Sequence, residues 1–161
     1  MSDARKVTAY CGLCCLDCIP NNHRLLELVK ELAGVLDEVG FEEYAAHKSR
    51  REPIFNGYPA FRKVLDAIPR IECSGSCYEG PVSELGCARD CSIRRCAIGH
   101  DFAGCWECDE VDNCDLMRSC KGFHPGLESN LRMIREHGIE NWLDKRGIHY
   151  WWDSHDKTDN L

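Results

Sequence analysis

The sequence predicts a small, irregular α+β domain, helix-rich with little sheet, whose cysteine loops are stapled by metal. Three observations lead there. Thirteen of the 161 residues are cysteine. Apolar residues recur at helical spacing in the stretches that flank the main cysteine region. One short segment, residues 6–10, reads as a strand. The length suits a single domain spanning residues 1–161. The apolar fraction of 43% counts the cysteines and falls to about 35% without them. That is a thin supply for a core of this size, so a second source of stability is expected.

The elements follow in order. The strand candidate Lys6-Val7-Thr8-Ala9-Tyr10 runs into a turn-rich loop, Cys11-Gly12-Leu13-Cys14-Cys15-Leu16-Asp17-Cys18-Ile19-Pro20, where Gly12 and Pro20 interrupt regular structure. Residues 21–47 read as a helix, with Leu25, Leu28, Val29, Leu32, Leu36 and Val39 forming one apolar stripe. Asn21 or Asn22 can cap its start, and Gly40 is its natural break. A second helix, 59–68, opens at Pro59, a residue suited to the first turn because its missing N–H would have had no partner there. It carries Phe61, Val64, Leu65 and Ile68 on one side and ends at Pro69. Residues 73–124 hold nine cysteines, six glycines and little periodicity. Such a segment cannot order itself by apolar burial, so a metal-bound knot is expected. The last stretch, about 125–147, reads as a helix bent near Gly138, with Leu127, Leu131, Ile134, Ile139, Trp142 and Leu143 on its apolar side. Trp151 and Trp152 then cap a small core.

Compartment decides whether cysteines pair with one another or with metal. The first residues have no apolar run behind their charges, unlike a secretory signal, and no stretch is apolar enough to span a membrane. An odd number of cysteines also closes poorly into disulfides. A cytoplasmic metal-binding protein is therefore expected. The net charge of −7 argues against generic nucleic-acid binding, which needs a basic face to displace phosphate counterions. The clusters Lys48-Ser49-Arg50-Arg51 and Arg94-Arg95 read as solvated turns.

Zinc takes four ligands in a tetrahedron, and a Cys-x-x-Cys turn can aim two sulfurs at one ion. Cys105–Cys108 and Cys15–Cys18 are such pairs, and Cys11–Cys14 overlaps the second. Thiolates also suit iron–sulfur clusters. Cys11, Cys15 and Cys18 have the Cys-x3-Cys-x2-Cys spacing of radical S-adenosylmethionine enzymes, and Cys105, Cys108 and Cys114 resemble part of the auxiliary-cluster motif of those enzymes. The catalytic barrel of such enzymes needs more βα repeats than 161 residues provide. A thioredoxin-like dithiol at Cys15–Cys18 would need a βαβ setting that the sequence lacks. His100 and His124 lie within or beside the cysteine region and could each replace a sulfur, but read as surface residues, as do His23, His47, His137, His149 and His155. No Ser-His-Asp pattern, phosphate-cradling glycine loop or His-Glu-x-x-His motif is present, and no catalytic residue is assigned. A zinc-dependent enzyme would need an open coordination position beside a base.

Taken in order, these motifs resemble the cysteine-rich family named domain of unknown function 3795. The resembling pieces are Tyr10-Cys11-Gly12-Leu13 with Cys15 and Cys18, then Cys73 and Cys77 around Gly75. Cys91-Ser92-Ile93-Arg94-Arg95-Cys96 follows, then Cys105, Cys108 and Cys114. The run from Leu131 and Ile134 through Gly138 to Trp142-Leu143 closes the match. The Cys73–Cys77 element is one residue longer than usual, the Cys108–Cys114 interval is stretched, and Trp151-Trp152 stands where some members carry a further cysteine pair. The resemblance implies ten metal ligands: Cys11, Cys15, Cys18, Cys73, Cys77, Cys91, Cys96, Cys105, Cys108 and Cys114. It leaves Cys14, Cys87 and Cys120 unassigned, and it implies no activity. The expectation is a structural role for zinc, two ions, in an interaction or scaffold protein. Its partner, protein or small molecule, is named by no motif. An iron–sulfur or thiol-redox protein serving a metabolic enzyme is the alternative.

Overall fold

The computed structural model describes residues 3–79, 83–85, 87, 90–121, 124 and 126–146. The described residues form seven α-helices linked by 3-10 turns: α1 Asp3–Lys6, α2 His23–Glu38, α3 Phe41–Lys48, α4 Tyr58–Ala67, α5 Ser92–Gly99, α6 Asp115–Lys121 and α7 Leu127–His137. Among them the β pairing is a single isolated antiparallel bridge between Thr8 and Cys14. The fold is all-α, which corrects the α+β expectation.

The reason lies in the loop that reads as a strand. Lys6 closes α1, and the chain then folds back on itself through Gly12, whose φ of +89° is a left-handed conformation. The Ala9 N–H donates to Leu13 O at 2.8 Å and the Cys15 N–H donates to Val7 O at 2.7 Å. Thr8 is turned inward: its hydroxyl donates to Ala4 O at 2.6 Å and accepts from Trp142 Nε1 at 3.0 Å. With its bonds closed locally and by side chains, the segment pairs with no further strand. Tyr150, Trp151, Trp152, His149 and His155 lie outside the described residues, and with them the core-capping role expected of the two tryptophans.

Residues 21–47 form two helices rather than one. Asn22 Oδ1 accepts the Leu25 N–H at 3.0 Å and caps α2. Gly40, at φ +62°, turns the chain into α3. Of the stripe expected on α2, Val29 is buried while Leu28, Leu32 and Val39 are exposed, and the buried Leu26 lies outside it. On α4, Tyr58 and Leu65 are buried while Phe61 and Val64 are exposed. Arg62 joins α4 to α2, with a two-pronged bond to Asp37 and a further ion pair at 2.9 Å to Asp66. Phe41 packs against Tyr58 and Tyr44, with ring centroids at 5.2 and 5.5 Å. After α4 the chain does not stop at Pro69 but continues as a 3-10 turn, Ile68–Ile71.

The main core lies in the other half. Leu127, Leu131 and Ile134 on α7 pack with Trp106, Ile93, Met117 and Trp142. This half also contains α5 and α6, which the sequence reading of residues 73–124 did not anticipate. Both span only about two turns, too few for an apolar stripe to stand out, and each begins directly after a cysteine, Cys91 and Cys114 respectively. The chain ends are pinned together through the core: Asn130 Nδ2 donates to Gly12 O at 3.0 Å, and Arg146 grips the Asp17 carboxylate at 2.9 and 3.0 Å. No helix among the described residues is long and apolar enough to cross a membrane.

Two glycines give opposite expectations. A Cβ at Gly12 would stand 2.9 Å from Leu131 Cδ2 on a left-handed backbone, whereas one at Gly34 in α2 would meet nothing within 4 Å. Gly12→Ala should lower unfolding stability by at least about 1–2 kcal/mol, and Gly34→Ala should raise it by about 0.5–1 kcal/mol. Denaturant titration of the two variants against the parent checks both signs.

Candidate metal centres

Local backbone shape places the sulfurs. In two of the three Cys-x-x-Cys segments a 3-10 turn, Cys15–Asp17 or Cys105–Glu107, starts at the first cysteine. The second cysteine closes it: the Cys18 N–H donates to Cys15 O and the Cys108 N–H to Cys105 O, each at 3.2 Å. One such turn brings two sulfurs to the same side, as shared metal binding requires. Distant segments are then tied to these turns. The Cys73 N–H donates to Pro20 O at 3.0 Å, and the Cys105 N–H to Tyr10 O at 2.7 Å. Gly104 leaves space for the Trp106 ring, whose nearest atom would lie 2.1 Å from a Cβ at that position. Arg135 of α7 holds the far side of the same turn by donating to the carbonyls of Trp106, at 2.9 Å, and Cys108.

All thirteen cysteines are free thiols, and they sort onto the walls of two neighbouring cavities. The smaller, about 30 Å³, is lined by Cys96 of α5, Cys105 and Cys108 of the second turn, and Cys114 at the start of α6; the rest of its wall is apolar, including Val111 and Met117. The larger, about 200 Å³, is lined by Cys11, Cys14, Cys15, Cys18, Cys73, Cys77, Cys87, Cys91 and Cys120, together with Arg94 and His124. Ile93 belongs to both walls.

Electrostatics around these sulfurs share one cause. Burial, followed by the neighbouring Cys18, Cys14, Cys77 and Cys73, pushes the Cys15 thiol up to about 12. Burial, followed by Cys114, Cys96, Cys108 and Cys91, pushes Cys105 to about 12, and burial with Cys18 and Cys73 pushes Cys87 to about 11. Cys11, Cys14 and Cys77 are raised by burial as well. Some bonds act the other way: the Leu13 amide favours the Cys11 thiolate, and the Tyr10 amide with Arg94 favours that of Cys77. The Cys73 thiol donates to Gly75 O at 3.1 Å. Without a cation, burial favours the neutral thiol at Cys11, Cys14, Cys15, Cys77, Cys87 and Cys105. Among the described residues no three His, Cys, Asp or Glu side chains converge closely enough to hold one ion as they stand.

Of the ten cysteines expected as ligands, the smaller cavity gathers Cys96, Cys105, Cys108 and Cys114, and the larger gathers Cys11, Cys15, Cys18, Cys73, Cys77 and Cys91. Cys14, Cys87 and Cys120 join the larger one. Cys14 was hidden by the overlap of two Cys-x-x-Cys pairs. Cys120 is separated from Cys114 by most of α6, a spacing with no signature in the sequence. Of the two histidines weighed as ligands, His124 lines the larger cavity, where burial lowers its pKa. His100 is exposed and stacks at 5.4 Å on Phe102, a wall residue of the smaller cavity, but is itself on neither wall.

No curated protein and no solved structure matches the chain. A family model does: the one described as protein of unknown function, DUF3795, matches residues 7–119. That span covers most of the chain and includes every cysteine of both cavities except Cys120. The chain belongs to the DUF3795 family.

Proposed function

We propose that this chain is a metal–thiolate protein in which bound metal supplies stability that apolar burial does not. The supporting observation is the sorting of all thirteen free thiols onto two cavity walls, from segments as distant as Cys11 and Cys120. Buried thiols in such number repel one another as anions, and a cation between them removes both the repulsion and the protons. The smaller cavity suits one structural zinc. Its four cysteines satisfy a closed tetrahedral site, and about 30 Å³ is room for one small ion, given that a water needs roughly 10–15 Å³ by the same measure. Ion uptake draws the four sulfurs inward from the wall. The exposed Leu32, Val35 and Val39 of α2 and Val64 of α4 support an interaction or scaffold role for the helical arm.

Two outcomes follow. Protein purified without added metal should hold zinc at the smaller cavity, and Cys108→Ser should lose that ion by elemental analysis. Because thiolate–zinc bonds contribute on the order of 10 kcal/mol to folding small domains, C108S should also melt well below the parent. A variant with unchanged metal content and melting temperature contradicts the reading.

The pH trend should reverse with metal. The folded, metal-free protein holds Cys87 near 11 and Cys15 and Cys105 near 12, above the ordinary thiol value of 9.0. The stability due to those neutral thiols is complete below pH 9.0 and declines as pH climbs toward 11 to 12. Zinc uptake releases thiol protons, so zinc affinity should instead rise with pH and collapse on acidification. Denaturation curves of the metal-free form and zinc competition titrations across pH measure the two slopes.

A further inference from the structure

We infer that the larger cavity is the seat of an iron–sulfur cluster ligated by Cys15, Cys18, Cys73 and Cys77. The inference rests on the metal–thiolate reading and gives this cavity a cofactor class of its own. Size is the first argument. At about 200 Å³ the space is several times that of the smaller cavity, about 30 Å³. One zinc ion holds its sulfurs at about 2.3 Å and would leave most of that volume empty. A cluster brings several irons and inorganic sulfides between the thiolates and fills it, still using four cysteines.

The ligand set follows from how the wall is built. Cys15 and Cys18 belong to one 3-10 turn, and the Cys73 amide is bonded to Pro20 just beyond it at 3.0 Å. Cys77 follows Cys73 in the same loop, and both line the wall that carries Cys15 and Cys18. Cys14 differs from the others in being fully buried within the apolar core. Arg94 lines the same cavity, and a positive side chain beside the sulfurs stabilises an anionic cluster.

The cavity lies beside a groove open to solvent. Cys15, Asn21, Cys73 and Gly75 line both the larger cavity and this groove of about 380 Å³, which also contains Lys6 and His23.

The test uses the full chain purified without oxygen, incubated with a mixture of ferrous and ferric iron and sulfide, desalted, and assayed for iron, acid-labile sulfide and zinc, with Mössbauer spectra. The expected result is iron and sulfide in equal amounts, about two or about four of each per chain, with a cluster spectrum. Cys73→Ser should lose most of both and keep its zinc, while C108S should lose zinc and keep both. Zinc in both cavities, or iron without sulfide, overturns the cluster and leaves the metal–thiolate reading standing. A chain that binds no metal in either cavity overturns both. Full iron and sulfide in C73S overturns the ligand assignment, and the parent protein's own iron-to-sulfide ratio stands even if that variant fails to fold.

Discussion

Nine thiols line one cavity of about 200 Å³ and four more line its neighbour, and this crowding constrains everything around it. At Cys11, Cys14, Cys15, Cys77, Cys87 and Cys105, burial favours the neutral thiol. The same feature makes the cavities receptive to cations: a metal replaces the protons and turns repulsion among thiolates into coordination. On our proposal the fold is a device for keeping these sulfurs together and largely dry until metal arrives.

The rest of the architecture serves that constraint. The Thr8–Trp142 and Gly12–Asn130 bonds and the Asp17–Arg146 pair close the two ends of the chain around the cysteine half, so that the loop carrying Cys11 to Cys18 is fixed from behind. Arg135 holds the Cys105–Cys108 turn from the side of α7. In this half apolar packing and polar clamps share the work. The helical arm of α2 to α4 follows a different logic, with an aromatic cluster and the Arg62 clamp inside and much of its apolar stripe outside.

Much of this was legible from residue order. The order of the cysteine motifs identified the family, and the turns at Cys15–Cys18 and Cys105–Cys108 could be anticipated because a Cys-x-x-Cys turn is a local structure that a local pattern can reveal. The Asn22 cap and the break at Gly40 were visible for the same reason. What was not legible depends on distant contacts. Residues 6–10 have a strand-like sequence, but Thr8 is claimed by Trp142 Nε1 from the far end of the chain. The division of sulfurs into four and nine, and the inclusion of Cys14, Cys87 and Cys120 with the nine, follow from the packing of α5, α6 and α7, which spacing does not encode. The stripe on α2 was read correctly as apolar, but periodicity cannot tell which part of a stripe will be covered.

The most direct test of the central claim is amide hydrogen exchange on the metal-loaded protein before and after chelation under reducing conditions. If metal holds the cysteine half, chelation should collapse protection in α5, α6 and the Cys105–Glu107 turn, while α2 and α4 keep theirs. Equal protection of the cysteine half with and without metal would contradict the account, because apolar packing alone would then hold the cavities in place.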